Sequence, residues 1–275
     1  MHTRLIPSSG ERLPVIGLGT WQTFDIGANT AKQSNLKTIL STFIQMGGTL
    51  IDASPMYGTA EQVVGRLTTE LGIGHQLFMA TKVWTNGEEE GKQQMQTSMH
   101  KMRTNPIDLM QVHNLMDYKT QLATMEEWKL AGKIRYTGIT HHSDIWYEAM
   151  EEVLQKYPID FLQINYSILL RGAADSLLPM ARDKGVAVII NRPFEFGRLF
   201  RKVKQRPLPE WAKAYQIQTW GQFFLKYIIS HPAVTCVIPA TSSLEHLREN
   251  MQAGKGELPD EKGRERMLRY FEKFM

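Results

Sequence analysis

A short, continuously apolar run followed by a stretch with apolar residues at helical spacing recurs eight times along this chain. No other feature limits the fold as tightly. The apolar runs fall at 15–19, 49–52, 77–82, 108–113, 136–140, 161–165, 186–191 and 234–239. The helical stretches fall at 34–46, 60–69, 88–102, 120–131, 143–155, 175–184, 221–230 and 243–251, several closed by glycine. Strands without polar alternation are those buried on both faces of a parallel sheet. Eight such units in 275 residues fit a (β/α)8 TIM barrel, which takes ~250 residues. An open doubly wound sheet is the competitor. The evenness of the repeat and the lack of a G-x-G-x-x-G turn after the first strand argue against it. Residues 3–14 alternate around Ser8-Ser9-Gly10 and predict a short N-terminal hairpin, and 259–275 predicts an extra C-terminal helix. No linker interrupts the repeat, so one domain over 1–275 is expected.

The remaining bulk properties exclude more than they assign. A formal net charge of +4 without a long basic run gives no reason to expect a nucleic-acid partner. Arg198, Arg201, Lys202, Lys204 and Arg206 form a local basic cluster, read as a solvated face or a neighbour of an anionic cofactor. The single cysteine, Cys236, permits neither an internal disulfide nor a cysteine-based zinc site. No apolar run is long enough to span a membrane. The first residues lack the apolar core of a signal peptide, so a cytoplasmic protein is expected. No coiled coil is visible, and a monomer or weak homo-oligomer is the expectation.

In this fold the reacting groups sit at the carboxyl ends of the strands. Those positions carry Asp52 on strand two with Tyr57 in the loop beyond, Lys82 on strand three and His113 on strand four. A buried ammonium at Lys82 needs a counter-charge, and Asp52 on the neighbouring strand can supply it. The same ammonium beside Tyr57 favours the phenolate, so the tyrosine pKa is expected to fall from its usual value. Such a tyrosine is a general acid toward a carbonyl oxygen. His113 can donate a hydrogen bond to that oxygen.

With these residues in view, the chain resembles the aldo-keto reductase superfamily. Ile51-Asp52-Ala53-Ser54-Pro55-Met56-Tyr57-Gly58 is similar to its D-x-x-x-x-Y-G segment. Ala80-Thr81-Lys82-Val83-Trp84, Gln111-Val112-His113-Asn114 and Lys133-Ile134-Arg135-Tyr136-Thr137-Gly138-Ile139-Thr140 follow its T-K-x-W, H-N and G-K-I-R segments. Ile238-Pro239-Ala240-Thr241 through Arg248-Glu249-Asn250 follows its I-P-x-x…E-N segment.

The resemblance implies NAD(P)H-dependent reduction of aldehydes or ketones. Tyr57 would be the proton donor, Asp52 and Lys82 its tuning pair, and His113 the orienting residue. The nicotinamide nucleotide would lie across the barrel mouth past Gly19, Thr20 and Trp21. Thr140, His141 and Gln163 would hold its carboxamide. Asn191, Arg192, Pro193, Phe194, Gly197, Arg198 and Leu199 would cover the ring and pyrophosphate. Thr241, Ser242, Arg248, Glu249 and Asn250 would hold the adenosine end. NADPH is the expected cofactor, with NADH as the alternative, and Trp21, Met56, Trp84 and Leu115 would line the substrate pocket.

Departures from the family pattern are specific. Thr140-His141 stands where Ser-Asn is usual, and Asn191-Arg192-Pro193-Phe194 lacks the tyrosine that stacks on nicotinamide in many members. Two other readings compete. A non-catalytic nucleotide-sensing subunit would retain the barrel. A metal-dependent hydrolase would use Asp52, His113, His141 and His142, but side chains 141 and 142 of an extended chain should point apart. No bound metal is expected.

Overall fold

The computed structural model describes residues 1–275. A two-stranded antiparallel hairpin, β1 (Thr3–Leu5) and β2 (Arg12–Pro14), opens the chain. Eight strands then form one parallel sheet in sequence order: β3 (Leu18–Gly19), β4 (Leu50–Asp52), β5 (Phe78–Val83), β6 (Ile107–His113), β7 (Ile134–Thr140), β8 (Phe161–Asn165), β9 (Ala187–Asn191) and β10 (Cys236–Val237). The sheet closes through isolated bridges, Ile16 to Val237 and Gly19 to Ala240. There Gly17 N donates to Val237 O at 2.9 Å and Val237 N donates to Val15 O at 3.0 Å. The first and last strands are shorter than their apolar runs predict because the seam is made of single bridges and not a continuous ladder.

Helices α1 (Thr30–Gln45), α2 (Ala60–Glu70), α3 (Glu88–Met102), α4 (Tyr118–Leu130), α5 (Tyr147–Lys156) and α6 (Leu177–Asp183) pack outside the barrel, followed by α7 (Arg198–Lys202), α8 (Trp220–Ile229), α9 (Leu244–Ala253) and α10 (Glu261–Glu272). Helix α1 begins four residues before its apolar periodicity does, because the Asn29 side chain accepts from Lys32 N at 2.9 Å and caps it. The long connection after β9 holds structure that the apolar pattern does not announce, namely α7 and a 3-10 turn at Glu210–Tyr215. Arg198 and Arg201 of the basic cluster are exposed on α7. No helix is long and apolar enough to cross a membrane.

Strand alternation divides the barrel interior into layers. Leu50, Phe78, Ala80, Leu109, Tyr136 and Phe161 fill the lower interior with Ile6 and Leu13 of the hairpin segment, which plugs that end. Two residues further along the same faces stand Asp52, Lys82, Gln111, Gly138 and Gln163. The inward-facing side chains thus change from apolar to polar toward the carboxyl ends. The larger core lies between the sheet and its helices.

Candidate active site

The polar upper layer is built around a carboxylate. Asp52, at the end of β4, accepts from Lys82 Nζ of β5 through Oδ2 at 2.6 Å. Its Oδ1 accepts from Gln111 Nε2 of β6 at 3.2 Å and from Gln163 Nε2 of β8 at 2.9 Å. Lys82 is fully buried and also donates to Ala53 O at 2.6 Å. Burial works against its charge, but Asp52, Tyr57 and Glu61 together raise its pKa above the usual lysine value. Its charge is held by the Asp52 carboxylate and by the hydrogen bond to Ala53 O.

Lys82 Nζ lies 5.2 Å from the centre of the Tyr57 ring. The loop that presents this ring is held from both sides. Tyr57 N donates to Ser54 O at 3.0 Å, and Gly58 turns the chain at φ +56°. Thr59 then donates to Asp25 Oδ1 through its backbone N at 2.9 Å and its hydroxyl at 2.8 Å. The direction of the Tyr57 shift differs from expectation. Burial is the strongest influence and raises the phenol pKa; Lys82 pulls it down by charge and hydrogen bond, and Asp52 pushes it up again. In this protein the phenol keeps its proton, and Lys82 lessens the cost of losing it.

His113 ends β6 with its ring edge-on to Tyr57, the ring centres 6.0 Å apart. Burial, reinforced by Lys82 and by His142 and His141, lowers its pKa to about 2. The imidazole is therefore neutral and carries one N–H. Its Nδ1 lies 3.0 Å from Ser54 Oγ.

Above this group opens a cavity of about 450 Å³, a size ordinary for small-molecule sites. Asp52, Tyr57 and His113 reach it from below, and Lys82 stays beneath. Gly19, Thr20 and Trp21 form one side, and Thr140 and Gln163 lie on another, joined by a 2.9 Å bond from Thr140 Oγ1 to Gln163 Oε1. Asn191, Arg192, Pro193, Phe194 and Gly197 of the β9 connection also line it, as does Met56. Phe196 meets Trp21 edge-on at 5.3 Å and lies 4.0 Å from the Arg192 guanidinium carbon. Arg192, Glu195, Phe196 and Gly197 all have φ between +49° and +77°, so this strap holds left-handed backbone beside the cavity.

Other expected residues stand elsewhere. Trp84 is off the cavity wall, its backbone N–H donating to Gln94 Oε1 at 2.5 Å. Leu115 follows a left-handed Asn114 and is buried in the core. His141 is also off the wall; its Nδ1 accepts from Ser143 N at 3.1 Å and its ring stacks on Trp146. His142 takes the wall position. The two imidazoles do not diverge: the chain leaves the extended conformation after Thr140, and their rings stack 5.1 Å apart at 8°. No group of three or more His, Cys, Asp or Glu side chains converges in a metal-holding arrangement. Leu199 is buried in the core and Arg198 is exposed on α7, neither on the cavity wall.

Arg248 and Glu249 line a separate shallow hollow between the starts of α8 and α9, together with Thr219 and Gln222. Thr241 Oγ1 accepts from Ser243 N at 3.0 Å, Ser242 O accepts from Asn35, and Asn250 is buried. No role in the site is read from the sequence for Ser54, Gln111 or Asn114, and His142 is read there only as a metal ligand. A polar Gln111 two residues before His113 on an all-buried strand is a visible signal for the first layer beneath the site. Nothing in the sequence says that His142 and not His141 faces inward.

The aldo/keto reductase family model matches residues 15–265. Methylglyoxal reductase YeaE of Escherichia coli is 30% identical over 262 residues, spanning 91% of this chain and 89% of its own. The NADH-specific methylglyoxal reductase of the same organism is 28% identical, over 78% of this chain and 73% of its own. Among solved structures, an aldo-keto reductase from Klebsiella pneumoniae in complex with NADPH superposes with a TM-score of 0.83 at 25% identity, covering 98% of this chain and 96% of that one. With the barrel and the match along nearly its whole length, the chain belongs to the aldo/keto reductase family.

Proposed function

We propose that this protein is an NADPH-dependent reductase of aldehydes and ketones in which Tyr57 delivers the proton. The observation that carries the reading is the fully buried Lys82–Asp52 pair beneath a tyrosine that opens into a small-molecule cavity. When bound, the dihydronicotinamide supplies the hydride. Asn191 Oδ1 is buried without a hydrogen-bond partner on the cavity wall and suits the amide N–H of a carboxamide, beside Thr140 and Gln163. The strap from Arg192 to Gly197 would cover the nucleotide, and Arg248 and Glu249 would meet its adenosine end. Thr241, Ser242, His246 and Arg248 are the groups suited to a 2′-phosphate, and an NADH-specific relative keeps NADH as the alternative.

Tyr57 keeps its proton through the neutral range, as a general acid must. As the carbonyl oxygen gains electrons, the proton passes from the phenol to it. The phenolate left behind is stabilised by the Lys82 ammonium, which Asp52 and Ala53 O hold in place. His113, neutral and across the ring of Tyr57, donates its N–H to the same oxygen and aims the carbonyl. The partner is a small carbonyl compound. A single cytoplasmic unit, monomeric or weakly associated, is part of the proposal.

The test is NADPH oxidation with 4-nitrobenzaldehyde and phenanthrenequinone. Tyr57→Phe should lower kcat by about 10²-fold or more, the scale of a lost general acid, with NADPH affinity largely kept. Near-normal turnover in that variant would overturn the assignment.

A further inference from the structure

Ser54 lies within the segment that presents Tyr57 but is neither the tyrosine nor the carboxylate. It is fully buried, and both its carbonyl and its hydroxyl are engaged with the site. Its carbonyl accepts from Tyr57 N at 3.0 Å, and its Oγ accepts from Met56 N at 3.2 Å. The remaining contact of Oγ is His113 Nδ1, 3.0 Å away on a strand two positions round the barrel.

A serine hydroxyl has one proton to give. Of the two hydrogen-bond partners of Oγ, Met56 N is a donor, so His113 Nδ1 is the one that can accept. Were Nδ1 protonated, it would donate to Oγ, and the buried hydroxyl proton would have no partner, which folded proteins avoid. With Ser54 donating, Nδ1 is the acceptor and the single proton of the neutral ring must sit on Nε2. Only that tautomer leaves the cavity-facing nitrogen able to donate to a carbonyl oxygen.

We infer that Ser54 is a positioning residue: its hydroxyl holds His113 in the Nε2–H tautomer and ties the histidine to the loop that presents Tyr57. The inference rests on the proposed role of His113 in aiming the substrate. It gives one short side chain a hand in placing both groups that meet the carbonyl oxygen.

The test uses the full chain and its Ser54→Ala, His113→Ala and double variants, with NADPH and 4-nitrobenzaldehyde, plus ¹⁵N-histidine NMR. In the wild type the His113 resonances should show an unprotonated Nδ1 and a protonated Nε2, and Ser54→Ala should shift the ring toward a mixture of tautomers. Ser54→Ala should lose roughly tenfold in kcat/KM, the scale of one hydrogen bond, with NADPH affinity unchanged. In the His113→Ala background the same substitution should cost almost nothing, because the two residues act as one unit. An Nδ1-protonated wild type, an unchanged tautomer in Ser54→Ala, or an equal loss in both backgrounds would overturn the inference; the last would mean that Ser54 acts through the tyrosine loop alone. If His113→Ala were itself fully active, the reading of His113 would fail, and the tautomer measurement would still decide the Ser54 bond.

Discussion

Asp52 accepts three hydrogen bonds, one from a cation and two from amides. A carboxylate so occupied is not free to act as a base, so it serves by holding Lys82. The histidines act through the opposite logic, since burial keeps them uncharged. His113 is lowered to about 2, and His141 and His231 to about 4, with burial the first cause in each. In the unfolded chain the same groups take up protons near pH 6.5. Between those values the unfolded state binds more protons, so stability is full above about pH 6.5 and is lost as pH falls toward the folded values. The urea midpoint is therefore expected to fall from pH 7 to pH 5. His231 is remote from the cavity, its Nδ1 accepting from Ala233 N at 3.2 Å, so His231→Asn isolates its share. That variant should lose less on acidification than the wild type, and an identical pH dependence would refute the argument.

The elements that carry the site are placed by close contacts elsewhere. Helix α2, which starts directly after the tyrosine loop, crosses the end of α3 at Gly65. A Cβ at Gly65 would lie 2.1 Å from Lys101 O and 2.6 Å from Met102 C, both backbone atoms. No rotamer change relieves that, so the helices must separate. Gly65→Ala should cost about 1–3 kcal/mol, the range for overpacking a close contact, read as a lowered denaturation midpoint; a neutral or stabilising result would show that α2 is free to shift. The sequence shows why such a crossing is hard to foresee. Strands and helices are legible because burial imposes periods on them, and the pairing of Asp52 with Lys82 is legible because charge at a buried strand end stands out; the uncharged Tyr57 and His113 stand out only by their positions beside that pair. The turn after Thr140 is not legible, and so His141 and His142 exchange their expected places. Leu115 is expected in the pocket, but it follows a left-handed Asn114 and is itself left-handed at φ +55°, and goes to the core. The backbone of the strap after β9 is equally hidden, because Phe196 packs on Trp21 from the other end of the chain as well as on nearby Arg192.

At the scale of the molecule the barrel has two ends with different duties. The upper end gathers buried polar groups around a cavity, whereas the lower end is sealed by the hairpin segment with Ile6 and Leu13 inserted into the apolar interior. The seal is fixed by Arg135 of β7, which bonds Asp108 Oδ1 at 2.5 Å and pairs with Glu11 of the hairpin segment. Tyr136 OH joins them by donating to Glu11 Oε2 at 2.7 Å. Asp108 is mostly buried and also accepts from Met79 N at 2.7 Å, so removing the guanidinium leaves a carboxylate with one partner where burial already raises its pKa. Arg135→Met keeps the apolar stem and removes the charge. It should destabilise the fold by about 1–3 kcal/mol, less than the loss of a fully buried pair because the arginine is partly exposed. Arg135 lies on the same strand as Thr140 but at its opposite end, and nothing it touches reaches the cavity. The variant should therefore keep wild-type kcat and KM with NADPH and an aldehyde at a temperature where it remains folded. A large fall in kcat at full folding would mean that the two ends are coupled through β7, and that the layered interior does not separate stability from chemistry.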